Sequence, residues 1–175
     1  MRPLKQGTLD ALCGIYAIVN ALEQVGVGGP RSALHQELFE KLILALTPHQ
    51  LRSGLICGLD ADDLQYASRK AFRWLRRTHD VDLRLRIPFL DQEYENASDY
   101  VNAIREQSEE RQRAVIICVE VPGRSHWTIL RSVQGRWVYV RDSGRMRRLD
   151  LTRFQLGRGP YRFLPADTIV IMRRS

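Results

Sequence analysis

"RAVIICVEVPGRSHWTILRSVQGRWVYVRDS", residues 113–143, reads as three strands in succession: 113–121, 124–133 and 136–143. The segment between the second and third, "VQGRW", has the composition of a tight turn around Gly135. So short a connection forces its flanking strands to run antiparallel. The pattern continues downstream in "RMRRLDL" (145–151), reached through a turn at "DSGRM" around Gly144, and in "ADTIVIMRR" (166–174). The C-terminal part of the chain is therefore expected to be a mostly antiparallel sheet.

Upstream the period is helical. Asp10 is placed to cap a helix that runs to about Gln24 and stops at Gly26. In residues 31–46, Leu34, Leu38, Leu42 and Leu46 share one face of a second helix. A turn-rich segment follows at 47–59, and Asp60 then caps a third helix to about Arg76. A short strand is expected at 81–87, ended by Pro88, and a further helix from a Ser98 cap to about Gln112. Helices first and sheet second is an α+β pattern. One domain over 1–175 is expected, with a helical half at about 1–80 and a sheet-rich half at about 81–175.

The apolar runs are too short to span a membrane, and no signal peptide pattern opens the chain, so a cytoplasmic protein is expected, with signal-less secretion left open. Cys13, Cys57 and Cys118 are odd in number and widely spaced, which argues against a disulfide framework or a cysteine zinc site; no metal or cofactor is predicted. The formal net charge is +7, and 24 of the 27 basic residues are arginine. Arginine pairs well with phosphate and carboxylate, but no nucleic-acid recognition motif accompanies it. The two densest clusters are "RKAFRWLRRTH" (69–79) and "RDSGRMRR" (141–148).

Three residues suggest chemistry. On the first helix Ile15, Ile18, Val19 and Leu22 form an apolar stripe, and Cys13 falls on the opposite side, near a helix N-terminus that favours a thiolate. Gly14 beside it is expected to let another chain or a substrate backbone come close. His35, His49 and His79 read as solvated surface residues, whereas His126 opens a strand after a loop. Asp142 ends the next strand, sixteen positions on. If paired positions across the turn sum to about 269, His126 faces position 143 and Asp142 lies within reach. Asp142 can then orient the imidazole, or simply open the "DSG" turn. For an oxyanion, the Cys13 backbone N–H and the Gln6 side-chain amide are candidate donors. Cys118, in an apolar run, is expected to be inert core, and Cys57 lies in a loop with no helix start near it.

Together, "Q6-x6-C13-G14" at a helix start, "S-H126-W" on one strand and "V-R-D142-S" on the next resemble a papain-like cysteine peptidase. Stand-alone relatives of the bacteriocin-processing, double-glycine peptidase branch are the nearest in pattern. The resemblance covers nearly the whole chain, and "CGIYAIVNAL" is its most specific piece. It implies Cys13 as nucleophile, His126 as general acid/base, Asp142 as its orienter and Gln6 as oxyanion donor. It implies a cleft between a helical half and a sheet half, in a bacterial thiol hydrolase that cleaves a peptide or protein amide.

The chain departs from that branch in three ways. The Gln-to-Cys spacing is slightly longer, the bulky pair Ile15–Tyr16 follows Cys-Gly, and no transporter domain follows. With Met1 five residues before Gln6, regulation by a separate protein or by substrate supply is expected rather than by an N-terminal propeptide. Deamidases, acyltransferases and toxins use the same triad, and the acceptor that meets the thioester distinguishes them. The alternative class is a non-enzymatic basic module that binds nucleic acid or an acidic protein. Arginines beside Asp142 also suggest an acidic peptide substrate.

Overall fold

The elements expected from the sequence follow in the expected order, with one helix more, at Pro48–Cys57. The structure, a computed structural model, describes residues 10–28 and 32–174. Four helices come first: α1 (Cys13–Gln24), α2 (Ala33–Ala45), α3 (Pro48–Cys57) and α4 (Ala61–His79). Then follow β1 (Leu83–Arg86), α5 (Ala97–Glu109), β2 (Arg113–Val121), β3 (Arg124–Gln134), β4 (Trp137–Arg141), β5 (Arg148–Asp150) and β6 (Arg162–Arg173). The strands form one sheet in the order β1-β6-β2-β3-β4-β5, and every adjacent pair is antiparallel. This is an α+β architecture. No described helix is long and apolar enough to cross a membrane.

Strand β2 shows why the sheet is covered on both sides. Its side chains alternate between faces. Ala114, Ile116 and Cys118 enter one buried cluster with α1, α2 and α4, and Val115, Ile117 and Val119 enter another with α5. Both sets being apolar, β2 reads in the sequence as an unbroken hydrophobic run. On the α5 side, the buried Tyr100 hydroxyl meets Thr168 Oγ1 at 2.8 Å, so the largest side chain there keeps its polar atom satisfied.

Helix α1 is buried on nearly every side, with both its apolar stripe and the face carrying Cys13, Ala17 and Asn20 out of solvent. It is a central helix rather than an amphipathic surface one. Its first residue is Cys13 and its cap is Leu12, not Asp10; the Asp10 carboxylate lies two residues too early and accepts the Leu12 N–H at 3.2 Å. Gly14 also has a different use from the one expected. A Cβ there would lie 2.6 Å from Leu64 Cδ1, so the missing side chain admits α4, not a substrate.

Other boundaries shift for local reasons. Residues 48–57 are helix α3, where turns were expected, because Thr47 and Gln50 form a reciprocal capping box and Pro48 sits at the first helical position. Asp60 caps α4 as expected, accepting the Asp63 N–H at 2.8 Å. That helix runs three residues past Arg76, to His79, and ends at Asp80 with φ 52°. Asn96, not Ser98, caps α5, because its side chain reaches the N–H groups of Ser98 and Asp99. In the sheet, β6 begins at Arg162 rather than Ala166, and β5 shrinks to three residues across a wider 142–147 connection.

Candidate active site

The β3–β4 hairpin sets the geometry. Val133 faces Val138 and Ser132 faces Tyr139, while past an irregularity Leu130 faces Val140 and Ile129 faces Arg141. Paired positions thus sum to 271 and then 270, one to two more than expected, and the side chains still meet. His126 Nε2 lies 2.5 Å from Asp142 Oδ1, with both residues buried. Asp142 is held from its other side, because Oδ2 accepts the backbone N–H groups of Gly144 (2.9 Å) and Met146 (3.1 Å). It opens the turn and orients the imidazole with different oxygens.

Cys13 arrives from the helical side. Its Sγ accepts the Trp127 backbone N–H at 3.4 Å, and the sulfur lies near enough to the His126 ring to raise that ring's pKa. With Nε2 committed to Asp142, Nδ1 is the ring nitrogen left for the sulfur. Trp127 also donates its indole N–H to the Leu59 carbonyl at 2.9 Å, one residue before the cap of α4. One residue of β3 thereby holds both the sulfur and the base of the neighbouring helix. At the far end of α1, Gln24 Nε2 donates to the Leu130 carbonyl at 3.0 Å, at the irregularity in β3, and Glu23 pairs with Arg141.

The electrostatics favour a charged pair. Burial works against an imidazolium at His126, but the hydrogen bonds and charges of Asp142 and Cys13 outweigh it and raise the pKa to about 9. Burial likewise opposes the Asp142 carboxylate, but His126 and the two turn N–H groups pull its pKa below the usual value. At neutral pH the structure therefore favours imidazolium beside carboxylate, with the sulfur against the ring. Cys13 as first residue of α1 has no intrahelical partner for its own N–H, which leaves it available to a developing oxyanion.

The structure brings together Cys13, His126 and Asp142; Gln6 lies outside the described residues. Cys57 is exposed at the C-terminal end of α3. Cys118 is buried in β2, and burial pushes its thiol far above the ordinary range. His49 and His79 are exposed as expected, but His35 is not. It is 3 % exposed on α2, and burial lowers its pKa. Trp127 and Leu59 were missed by sequence reasoning because their roles depend on contacts across 114 and 68 positions. Only "SHW" beside the candidate base pointed toward Trp127. Scanned against family models and searched against curated proteins, the chain gives no match.

Proposed function

We propose that this chain is a papain-like thiol hydrolase that cleaves a peptide or protein amide bond. The observation that carries the reading is the three-part arrangement: a thiol at a helix start held against the residue next to His126, a histidine whose pKa that thiol raises, and a buried carboxylate 2.5 Å from the histidine ring. A core thiol needs neither a base nor an oriented base, so a structural role leaves all three placements unexplained. Helices carrying the thiol and an antiparallel sheet carrying His and then Asp also match the papain-like pattern in chain order.

In this reading the thiol proton already rests on the His126 imidazolium, and Cys13 Sγ attacks the substrate carbonyl carbon. The carbonyl oxygen becomes an oxyanion, facing the Cys13 N–H and, by resemblance, the Gln6 amide. Collapse breaks the C–N bond, and the leaving amine takes the proton from His126. Water, deprotonated by His126, then attacks the thioester, releasing a carboxylate and restoring the thiol. Asp142 stays ionised throughout and holds the ring in the tautomer that serves the sulfur.

The test is trapping of the acyl-enzyme. An activated peptide ester or thioester is added to the wild-type chain and to Cys13→Ala, and the intact mass and the peptide map are read. An adduct on Cys13 that decays in water supports hydrolysis. Decay into an amine conjugate, or conversion of substrate glutamine to glutamate without chain cleavage, assigns acyl transfer or deamidation to the same triad. An adduct on Cys57, or none on any cysteine, overturns the reading.

A further inference from the structure

Far from the thiol, the sheet ends at β1, which pairs with β6 on one side and with no strand on the other among the described residues. Such an edge presents free backbone N–H and C=O groups. Helix α4 runs beside it, and a groove of 260 Å³ lies between them. Arg69, Arg73 and Arg76 reach it from one face of α4, spaced i, i+4 and i+7, and Arg84 and Arg86 flank it from β1. All five are exposed, and none makes an ion pair among the described residues. Asp82 is the one acid in the lining, and Phe72 gives the groove an apolar floor.

Several arginines elsewhere are engaged. Arg113 pairs with Glu110, Arg141 with Glu23 and Arg162 with Glu120, while Arg136 and Arg148 lie over the Trp137 ring. Charged side chains guard edge strands against aggregation. Three like charges on the α4 side and two on the other face of β1 crowd this edge, and a ligand of opposite charge relieves their repulsion.

The edge decides which acidic ligand fits. Leu83 and Leu85 pack with the α4 cluster, so Arg84 and Arg86 alternate onto the opposite face. A strand laid along β1 sends alternate side chains toward the α4 arginines and the others toward Arg84 and Arg86. Acidic residues are matched on both faces, while its backbone pairs with the open edge. A second copy of this chain docked through β1 would set arginine against arginine. We propose that this groove binds an acidic, extended segment of a partner protein, which adds to the sheet beside β1. From β1 to β3 is three strand spacings, about 14 Å, so the segment does not cover Cys13.

Fluorescence anisotropy tests this with the full chain carrying Cys13→Ser, which removes any turnover of the probe. The probe is a short labelled peptide alternating glutamate and valine. Comparators are its lysine counterpart, a version N-methylated on alternate amides, and a single-stranded oligothymidylate of equal charge. The expected result is salt-dependent binding of the acidic peptide, weakened at least about tenfold by N-methylation and by the Arg73→Glu/Arg76→Glu pair. Arg84→Glu, on a different element, should weaken it as well, so a folding defect in one variant leaves the other decisive. No binding of the acidic peptide overturns the proposal. So does equal binding of the lysine or N-methylated peptide, tighter binding of the oligothymidylate, or full affinity in the folded variants.

Discussion

Two buried thiols lie against neighbouring residues of the same strand, and their surroundings make them chemical opposites. Cys118 sits in the middle of β2 opposite Trp127, with packed side chains around it. Cys13 is hydrogen-bonded to the Trp127 backbone, with the His126 ring near enough for the sulfur to raise its pKa. Exposure does not separate them, at 2 % and 5 %. The separation comes from direction of approach. Cys118 reaches β3 from a neighbouring strand and meets only main chain, whereas Cys13 reaches it end-on from a helix start and meets a titratable ring.

The comparison breaks most sharply on removal of each sulfur. Cys13→Ala should lower amidase or esterase turnover by at least about 10,000-fold. Cys118→Ala should leave turnover of the folded protein within about threefold and cost about 1–2 kcal/mol of stability, as other small core truncations do. Steady-state kinetics and denaturant melts on both variants check this, and equal losses of activity would erase the distinction. Asp142→Asn comes next, expected to lower turnover about 1,000-fold with little change in KM, because substrate binding does not use that carboxylate.

Alkylation sharpens the same contrast without a substrate. With iodoacetamide near pH 6, Cys13 in the native chain should react about 100-fold faster than Cys118. It should also outpace the far more exposed Cys57, because the His126 ring stands beside its sulfur. Peptide mapping after short exposures reads all three rates. Parity between Cys13 and Cys57 would mean that the histidine does not activate the sulfur.

What was legible in the sequence follows from range. Strands β2 and β3 and the hairpin to β4 could be read closely, because turn residues and alternation are local. The His126–Asp142 contact could be read too, since a hairpin converts local register into proximity. Helix α3 was legible in "TPHQ" and passed over, its capping box masked by an otherwise turn-like composition. His35 was not legible: it lies on α2 one residue from Leu34, and burial there depends on the Val25–Gly28 turn folding back onto α2. Nor was the closeness of the two thiols. Cys13 and Cys118 are brought together by α1 docking on the sheet, for which neighbouring residues carry no signal.

Two buried histidines give the comparison a pH axis. His126 has a raised pKa, so its stabilising contribution is fully present below the ordinary value of 6.5 and is lost as pH rises through about 9. At 5 % exposure, the shift from 6.5 to about 9 corresponds to a contribution on the order of 3 kcal/mol. His35 has a lowered pKa caused by burial, so its contribution is present above 6.5 and is lost as pH falls through the depressed value. Melting midpoints from pH 5 to pH 10 should therefore fall at both ends. His126→Ala should flatten the alkaline limb alone and His35→Leu the acid limb alone. A wild-type alkaline limb already flat would show that His126 is not held in its charged form.

The smallest effect concerns what holds Cys13 in place. Alanine in a helix is favoured over glycine by about 1 kcal/mol, so Gly14→Ala should stabilise α1 if the space beside it were open to a substrate. It is not open: Leu64 Cδ1 and Cδ2 lie 2.6 and 2.9 Å from where the methyl would go, and Leu64 is fully buried. Overpacking of that kind costs about 1–3 kcal/mol, which outweighs the propensity gain. The net expectation is a loss of about 1 kcal/mol, partly restored by a Leu64→Val partner change that makes room. A double-mutant cycle in denaturant reads the coupling directly. Were Gly14 instead a substrate contact, the methyl would raise KM and leave the melt unchanged or improved. The two outcomes differ in kind, and they decide whether the residue after Cys13 belongs to the substrate or to the packing that keeps the sulfur against β3.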